Sequence, residues 1–281
     1  AGSSAAKKDN WVFRVKLDVA ATPGNWKVQA FVLDNGGYHD SLTDDFTVNV
    51  YQYPPRARRD PRPFLFSEFK KENQPVLVPT GSGFEADATY NPAATYENGI
   101  FYLFYRAQQK FGQPSYIGQA VSKDGIHFEN RHCILEPSEW YDQKGCEDSR
   151  IIKVGDEWWL IYTACSDKAR LAIAVSKDLK NWTKEGLLLP QDFGHNKSGV
   201  IIPEEINGKY YLYLEAVPAE HLYCVASDNL ENWAAVDRSQ ATVIIQKRDG
   251  YFDKDAIEPG PPPIVLDNEI LLIYNGWNSS Y

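Results

Sequence analysis

The chain has 281 residues, of which 43% are hydrophobic and 14% aromatic, and its formal net charge is −9. No apolar run approaches the roughly 18 residues of a membrane span, and the acidic balance argues against nucleic acid as a partner, because phosphate binding needs a basic surface. The length suits one large or two modest globular domains.

The first 53 residues predict a small β-rich module. Three stretches alternate apolar and polar positions and are separated by the turn clusters TPGN and DNGG: WVFRVKLDVA, WKVQAFVLD and DDFTVNVYQY. Three strands are fewer than an immunoglobulin-like sandwich needs, so residues 1–53 are interpreted as a partial one. Residues 54–63 (PPRARRDPRP) break every regular pattern and predict a linker. Residues 64–281 then form the main domain.

An internal repeat of about 50 residues dominates this main domain. One recurring segment carries a serine turn followed by an aromatic residue: AVSKDGIHFE (120–129), AVSKDLKNWT (174–183) and VASDNLENWA (225–234). Aromatic strands recur at the same period: FYLFYRA (101–107), WWLIYTA (158–164), YYLYLEA (210–216) and ILLIYNGW (270–277). Repeated units of this length without amphipathic helices predict the four-stranded blades of a β-propeller. The fourth unit stops at Tyr281 without its serine hairpin, so the last blades are expected to be incomplete in this chain.

Alignment of the units predicts where the site lies. One strand position holds Arg106, Thr163, Glu215 and Asn275. Ten residues before the start of each aromatic strand stand Asn91, Asp148, Val200 and Gly260. Equivalent positions on the inner strands of a propeller converge on its axis, so these polar residues are expected to meet in one pocket. The alternative is that each charged group is only paired with a neighbour in the core.

Several segments together resemble glycoside hydrolase family 130, the β-mannoside phosphorylases and their hydrolytic relatives. They are YNPAA (90–94), FYLFYRA (101–107), GCEDSRI (145–151), IPEEINGKYY (202–211) and EPGPPPIVLDNEILLIYNG (258–276). The resemblance implies an all-β, five-bladed β-propeller that acts on a mannose-containing oligosaccharide. It also implies that Asp148 is the general acid, with the proton passing through a mannose hydroxyl. An arabinosidase-like propeller would carry an aspartate where this chain has Asn91.

The same resemblance implies that Asn91 and Arg106 hold the sugar at the cleavage site and that Tyr105 flanks it. Ser149 stands where the family usually has proline, which leaves the acid in place. A purely structural pairing of Asp148 with Arg150 is the alternative for that acid. The full set of expected substrate-binding residues is Asn91, Tyr105, Arg106, Arg150, Lys197, Asn275 and Trp277.

The nucleophile decides between two reactions. A phosphorylase needs cations that hold phosphate, whereas this chain has Glu215 and Glu258 at positions that are basic or small in the phosphorylases. Two carboxylates would repel phosphate and could deprotonate water, which predicts an inverting hydrolase with either glutamate as base. Lys184 and Lys197 keep open the alternative of a phosphorylase that makes mannose 1-phosphate. A non-catalytic sugar-binding propeller is a third hypothesis.

No cofactor is expected, and phosphate is a co-substrate only in the phosphorylase alternative. The four cysteines show no CxxC spacing, so a metal site is not predicted. Whether Cys133 and Cys146 pair is left open, as is the oligomeric state. The accessory module favours a periplasmic or extracellular location.

Overall fold

The computed structural model describes residues 10–16, 32–34, 37–39, 74–216, 221–230, 232–233, 236, 238–265 and 269–279. The predicted module at 1–53 and linker at 54–63 lie mostly outside these residues, and the division into domains stays a prediction. Three short N-terminal strands are described: β1 Asn10–Lys16, β2 Val32–Asp34 and β3 Gly37–His39. Strands β2 and β3 form a hairpin.

The rest of the described chain forms successive antiparallel units. The first contains β4 Ala88–Glu97, β5 Ile100–Gln108, β6 Ser115–Ser122 and β7 Glu129–Leu135. The second contains β8 Gly145–Val154, β9 Glu157–Cys165, β10 Ala169–Ser176 and β11 Thr183–Leu187. The third contains β12 Asn196–Ile206, β13 Lys209–Ala216, β14 His221–Ser227 and β15 Thr242–Ile245. The fourth contains β16 Ala256–Pro259, β17 Ile264–Val265 and β18 Glu269–Trp277. Short 3-10 helices occupy Gly83–Glu85, Gln191–Phe193 and Arg238–Gln240.

The repeated serine segment is a turn with its own hydrogen bonds. The Ser122 hydroxyl accepts the backbone N–H of Gly125 at 2.9 Å, and Asp124 accepts those of Ile126 and His127 at 2.9 and 2.8 Å. The second unit repeats the arrangement around Ser176. A short polar side chain that satisfies nearby N–H groups replaces a backbone turn, so the repeat reflects the fold rather than the site.

The units pack side by side through apolar faces. Units one and two meet edge to edge through one parallel bridge, Ser115 to Gly145. Units two and three share a buried cluster that includes Ile161, Leu171 and Leu212. In the fourth unit β18 is flanked by β16, by β17 and by β1, which pairs with it from Asn10 to Lys16. No helix in the described part of the chain is long and apolar enough to span a membrane.

Candidate active site

The first strands of three units carry the same β-bulge. In each unit the register shifts directly after the pair at the same aligned position. These pairs are Tyr90 with Arg106, Glu147 with Thr163, and Lys197 with Glu215. The next residue in each strand has a positive φ, namely 47° at Asn91, 49° at Asp148 and 52° at Ser198. Non-glycine residues seldom adopt this conformation, and bulges next to active sites redirect a side chain.

The strand pairing corrects two expected positions, Val200 and Gly260. Val200, ten residues before its aromatic strand, was expected to match Asp148, but the matching residue is Ser198. The register shifts a second time between Ile202 and Ile206, which lengthens this hairpin. In the fourth unit the pairing is regular over Ala256–Pro259, and Glu258 pairs with Asn275, so Glu258 occupies the position of Glu147 and Lys197. Gly260 lies beyond it.

The structure brings two expected site residues, Asn91 and Arg106, to the side chain of Asp148. One carboxylate oxygen, Oδ1, accepts the Asn91 amide at 2.6 Å and lies 3.4 Å from Nη1 of Arg106. Asp148 is only 9% exposed. Its side chain therefore hydrogen-bonds to residues of the first unit, whereas Arg150 donates to its backbone carbonyl at 3.2 Å.

Arg106 is fixed by a set of contacts that the sequence did not predict. Its guanidinium donates to Glu147 at 2.5 Å and to the Ser115 hydroxyl at 2.8 Å, and it lies 4.8 Å from the centre of the Tyr90 ring. Burial raises the pKa of Glu147, although Arg106 opposes that shift. The sequence could have indicated Glu147, because it pairs with Thr163 as Glu258 pairs with Asn275 in the fourth unit.

Glu215 and Glu258, the two candidates for the base, both contact the ammonium group of Lys197. Nζ of Lys197 is 3.0 Å from Glu258 and 3.3 Å from Glu215, so the lysine links the third and fourth units. The side chain of Glu215 is 1% exposed and that of Glu258 is 14% exposed. Burial lowers the pKa of Lys197, but the two carboxylates raise it further, and the net shift is upward. The charged form of Lys197 is therefore favoured, and two carboxyl groups are its neighbours.

Arg150, expected to bind substrate, has a structural place instead. It is 6% exposed and donates to the backbone carbonyls of Gly260 at 2.6 Å, Pro259 at 2.8 Å and Ser149 at 2.9 Å. With the carbonyl of Asp148 at 3.2 Å, four of its five N–H groups donate to backbone carbonyls, so the guanidinium supports the backbone. Arg150 holds the loop after Glu258 against strand β8.

Tyr105, expected to flank the sugar, also lies elsewhere. It is 1% exposed, and its hydroxyl donates to Glu85 at 2.7 Å. Successive side chains of a strand point to opposite faces. Tyr105, which precedes Arg106 in strand β5, therefore points away from the face where Asp148 lies. Its role here is packing.

The last three candidates are placed as follows. Asn275 is half-buried opposite Glu258, and Trp277 is 47% exposed at the end of the same strand. Lys184, considered as a phosphate ligand, is bound to the buried Asp142 and donates to the carbonyl of Glu136 at 2.7 Å. Its ammonium group is therefore part of the core of the second unit.

The described residues contain no group of side chains arranged to hold a metal ion. Both Cys133 and Cys146 are free thiols, and burial raises the pKa of each. The site thus contains the Asp148 carboxyl group, which is held by an amide and a guanidinium, and two glutamate side chains that both contact Lys197.

Comparison with known proteins decides the family. The model for a family described as beta-1,4-mannooligosaccharide phosphorylase matches residues 59–281. A 1,2-beta-oligomannan phosphorylase of Thermoanaerobacter sp. is 33% identical over 72% of this chain and 69% of its own length. The chain belongs to glycoside hydrolase family 130.

Solved structures agree. One is a putative glycoside hydrolase from Bacteroides ovatus, 38% identical with a TM-score of 0.62; the match covers 70% of this chain and 63% of that one. The chain thus spans less than two thirds of that relative's length. Another is 30% identical, with a TM-score of 0.68 over 81% of this chain and 74% of its own. It is described as belonging to a family of mannoside phosphorylases that contains glycoside hydrolases targeting β-1,2 mannosidic linkages in Candida mannan. The family neighbours are five-bladed propellers, and the units described here form part of such a propeller.

Proposed function

We propose that this protein hydrolyses β-linked mannosides, with Asp148 as general acid and a water molecule as nucleophile. The observation that carries the proposal is the placement of Lys197 between Glu215 and Glu258. One cation between two carboxylates has no net positive charge left for a phosphate dianion, whereas the second carboxylate can accept a proton from water.

The acid step follows from the first and second units. Asp148 is shielded, and Asn91 and Arg106 fix its Oδ1 oxygen, which leaves its other oxygen to carry a proton towards the leaving oxygen of the glycoside. The bond between the anomeric carbon and that oxygen breaks, and the leaving alcohol departs with the proton.

The base step follows from the third and fourth units. A glutamate accepts a proton from water, and the water oxygen bonds to the anomeric carbon from the opposite face, which inverts its configuration. We assign the base to Glu258, because its side chain is more exposed than that of Glu215. Glu215 then holds Lys197 in place.

Phosphorolysis is the second candidate, and the curated relatives favour it over hydrolysis. Both a 1,2-beta-oligomannan phosphorylase and a beta-1,2-mannobiose phosphorylase of Thermoanaerobacter sp. match this chain at 33% and 31% identity. These names also support a β-1,2-linked substrate for either reaction. Hydrolysis therefore stays a prediction that rests on the charges of the site, and a periplasmic or extracellular location stays one as well.

The test is to incubate the protein with β-1,2-mannobiose, with and without inorganic phosphate. Mannose released at the same rate in both reactions would support hydrolysis. Mannose 1-phosphate formed only with phosphate would support the second candidate. The variant Glu258→Gln should lose turnover in the first case, because its amide cannot take a proton from water.

A further inference from the structure

The loops that enter three of the inner strands repeat one structural pattern. Each ends in a buried acidic residue that lies five positions before Tyr90, Glu147 or Glu258. The three segments are Gly83–Glu85, residues 140–142 (Trp-Tyr-Asp) and residues 251–253 (Tyr-Phe-Asp). A tyrosine hydroxyl from the aromatic strand of the same unit donates to every acid: Tyr105 to Glu85 at 2.7 Å, Tyr162 to Asp142 at 3.2 Å and Tyr274 to Asp253 at 3.0 Å.

The middle residue of each segment is an aromatic that packs inward. Phe84 stacks on Tyr105 with ring centres 6.4 Å apart, and Phe252 stacks on Tyr274 at 5.9 Å. Tyr141 is buried in the second unit. The second and third residues of the pattern thus account for the stability of the loop.

The first residue of the pattern is different, because the fold does not require its side chain. Glycine occupies this place in the first unit, yet the same place holds Trp140 in the second and Tyr251 in the fourth. They are 49% and 43% exposed. Trp140 packs edge-on against Tyr141 with ring centres 5.5 Å apart, and about half of its side chain still faces solvent. Exposed Trp and Tyr side chains offer an apolar face beside a polar group, which suits them to binding surfaces.

Both aromatic rings are held on one face by an arginine. The guanidinium of Arg170 lies 5.3 Å from the centre of the Trp140 ring, and that of Arg248 lies 4.7 Å from the Tyr251 ring. Arg170 is itself buried and bound to Asp167 through two hydrogen bonds of 2.7 and 3.1 Å. The arginine therefore holds the tryptophan in place, while 49% of the residue stays exposed to solvent.

We propose that Trp140 and Tyr251 are stacking platforms for sugar units on the leaving-group side of the scissile bond. Their loops lead directly into strands β8 and β16, which carry Asp148 and Glu258. A flat indole or phenol ring matches the C–H face of a pyranose. This inference rests on the proposed function for the location of the scissile bond, and it adds a preference for oligosaccharides over simple glycosides.

The test compares two substrates in the full chain. Trp140→Ala should lower kcat/KM for β-1,2-mannotriose by roughly threefold to tenfold, the size expected for one aromatic contact. It should leave methyl β-mannoside unchanged, because methanol offers no ring to stack. Trp140→Phe should retain most of the oligosaccharide activity. Tyr96→Ala is the matched control, since Tyr96 is 58% exposed near the opposite end of strand β4, and it should affect neither substrate.

Equal losses on both substrates, or no loss on either, would overturn the proposal. A binding measurement separates this outcome from failure of the proposed function. Calorimetry with β-1,2-mannotriose on Asp148→Asn should show tighter binding than on the Asp148→Asn, Trp140→Ala double variant. That difference would support the platform even if the protein had no turnover. Equal affinities, or no measurable affinity in either variant, would refute it.

Discussion

Replacing Lys184 by methionine should destabilise the fold rather than weaken phosphate binding. Asp142 is fully buried, and Lys184 is its ion-pair partner. Removing one partner of a buried pair leaves an uncompensated charge and typically costs about 3–5 kcal/mol. Asp142 would keep the N–H groups of Ser138 at 2.9 Å and Glu139 at 2.8 Å and the hydroxyl of Tyr162, so we expect the lower end, about 3 kcal/mol.

Thermal unfolding followed by circular dichroism measures this effect. For a domain of this size, a loss of about 3 kcal/mol lowers the melting temperature by about 6–12 °C. The control is the double variant Asp142→Asn, Lys184→Met, which removes both charges and should recover much of the loss. A melting temperature within about 2 °C of the wild type, together with a loss of turnover only in reactions that contain phosphate, would refute the reasoning.

The same ion pair predicts a pH dependence. Burial raises the pKa of Asp142, but the bond from Lys184 and two backbone N–H groups lower it more, and the net shift is downward. A carboxyl group with a lowered pKa in the folded state stabilises the protein above its ordinary pKa of about 4 and loses that contribution as the pH falls through the folded value. The difference in stability between wild type and Lys184→Met should therefore shrink in acid.

Three further replacements test the site and its supports. Asp148→Asn removes the proton donor but keeps an oxygen for Asn91, so turnover of a β-mannoside should fall by roughly 10²–10⁴ in a protein that still folds; a variant with normal kcat would contradict the assignment. Tyr105→Phe should lose about 1 kcal/mol of stability with its buried hydrogen bond and leave KM unchanged, whereas a raised KM would return Tyr105 to the binding site. Gly118→Ala should destabilise strongly, because a Cβ would lie 2.5 Å from the Tyr105 ring; normal stability in urea would show that the ring can move.

The repeat explains which parts of the fold the sequence could predict. Serine turns and aromatic strands recur at a fixed period because each unit solves the same hydrogen-bonding problem. That period brought Asn91 and Asp148 to one position, and their side chains are indeed 2.6 Å apart. The period failed for Val200, because the extra irregularity between Ile202 and Ile206 shifts the third unit by two positions. The sequence alone does not show where such extra residues lie within a strand.

Side-chain direction was the other limit. The resemblance of the motifs implied that Tyr105 and Arg150 bind the sugar. Alternation along the strand instead points Tyr105 away from the site, and Arg150 donates to backbone carbonyl groups. Conversely, Glu147 was not among the predicted site residues, although it fixes Arg106. Which face a polar residue occupies depends on the register of a bulged strand, and that register comes from contacts between units.

The nucleophile is the central claim, and one product analysis tests it most directly. β-1,2-Mannobiose is incubated with the protein in phosphate-free buffer, and the released sugars are identified by chromatography. The account predicts free mannose at a rate that added phosphate does not change. Product that forms only when phosphate is supplied, and that appears as mannose 1-phosphate, would contradict the assignment of water as nucleophile and of Glu258 as its base.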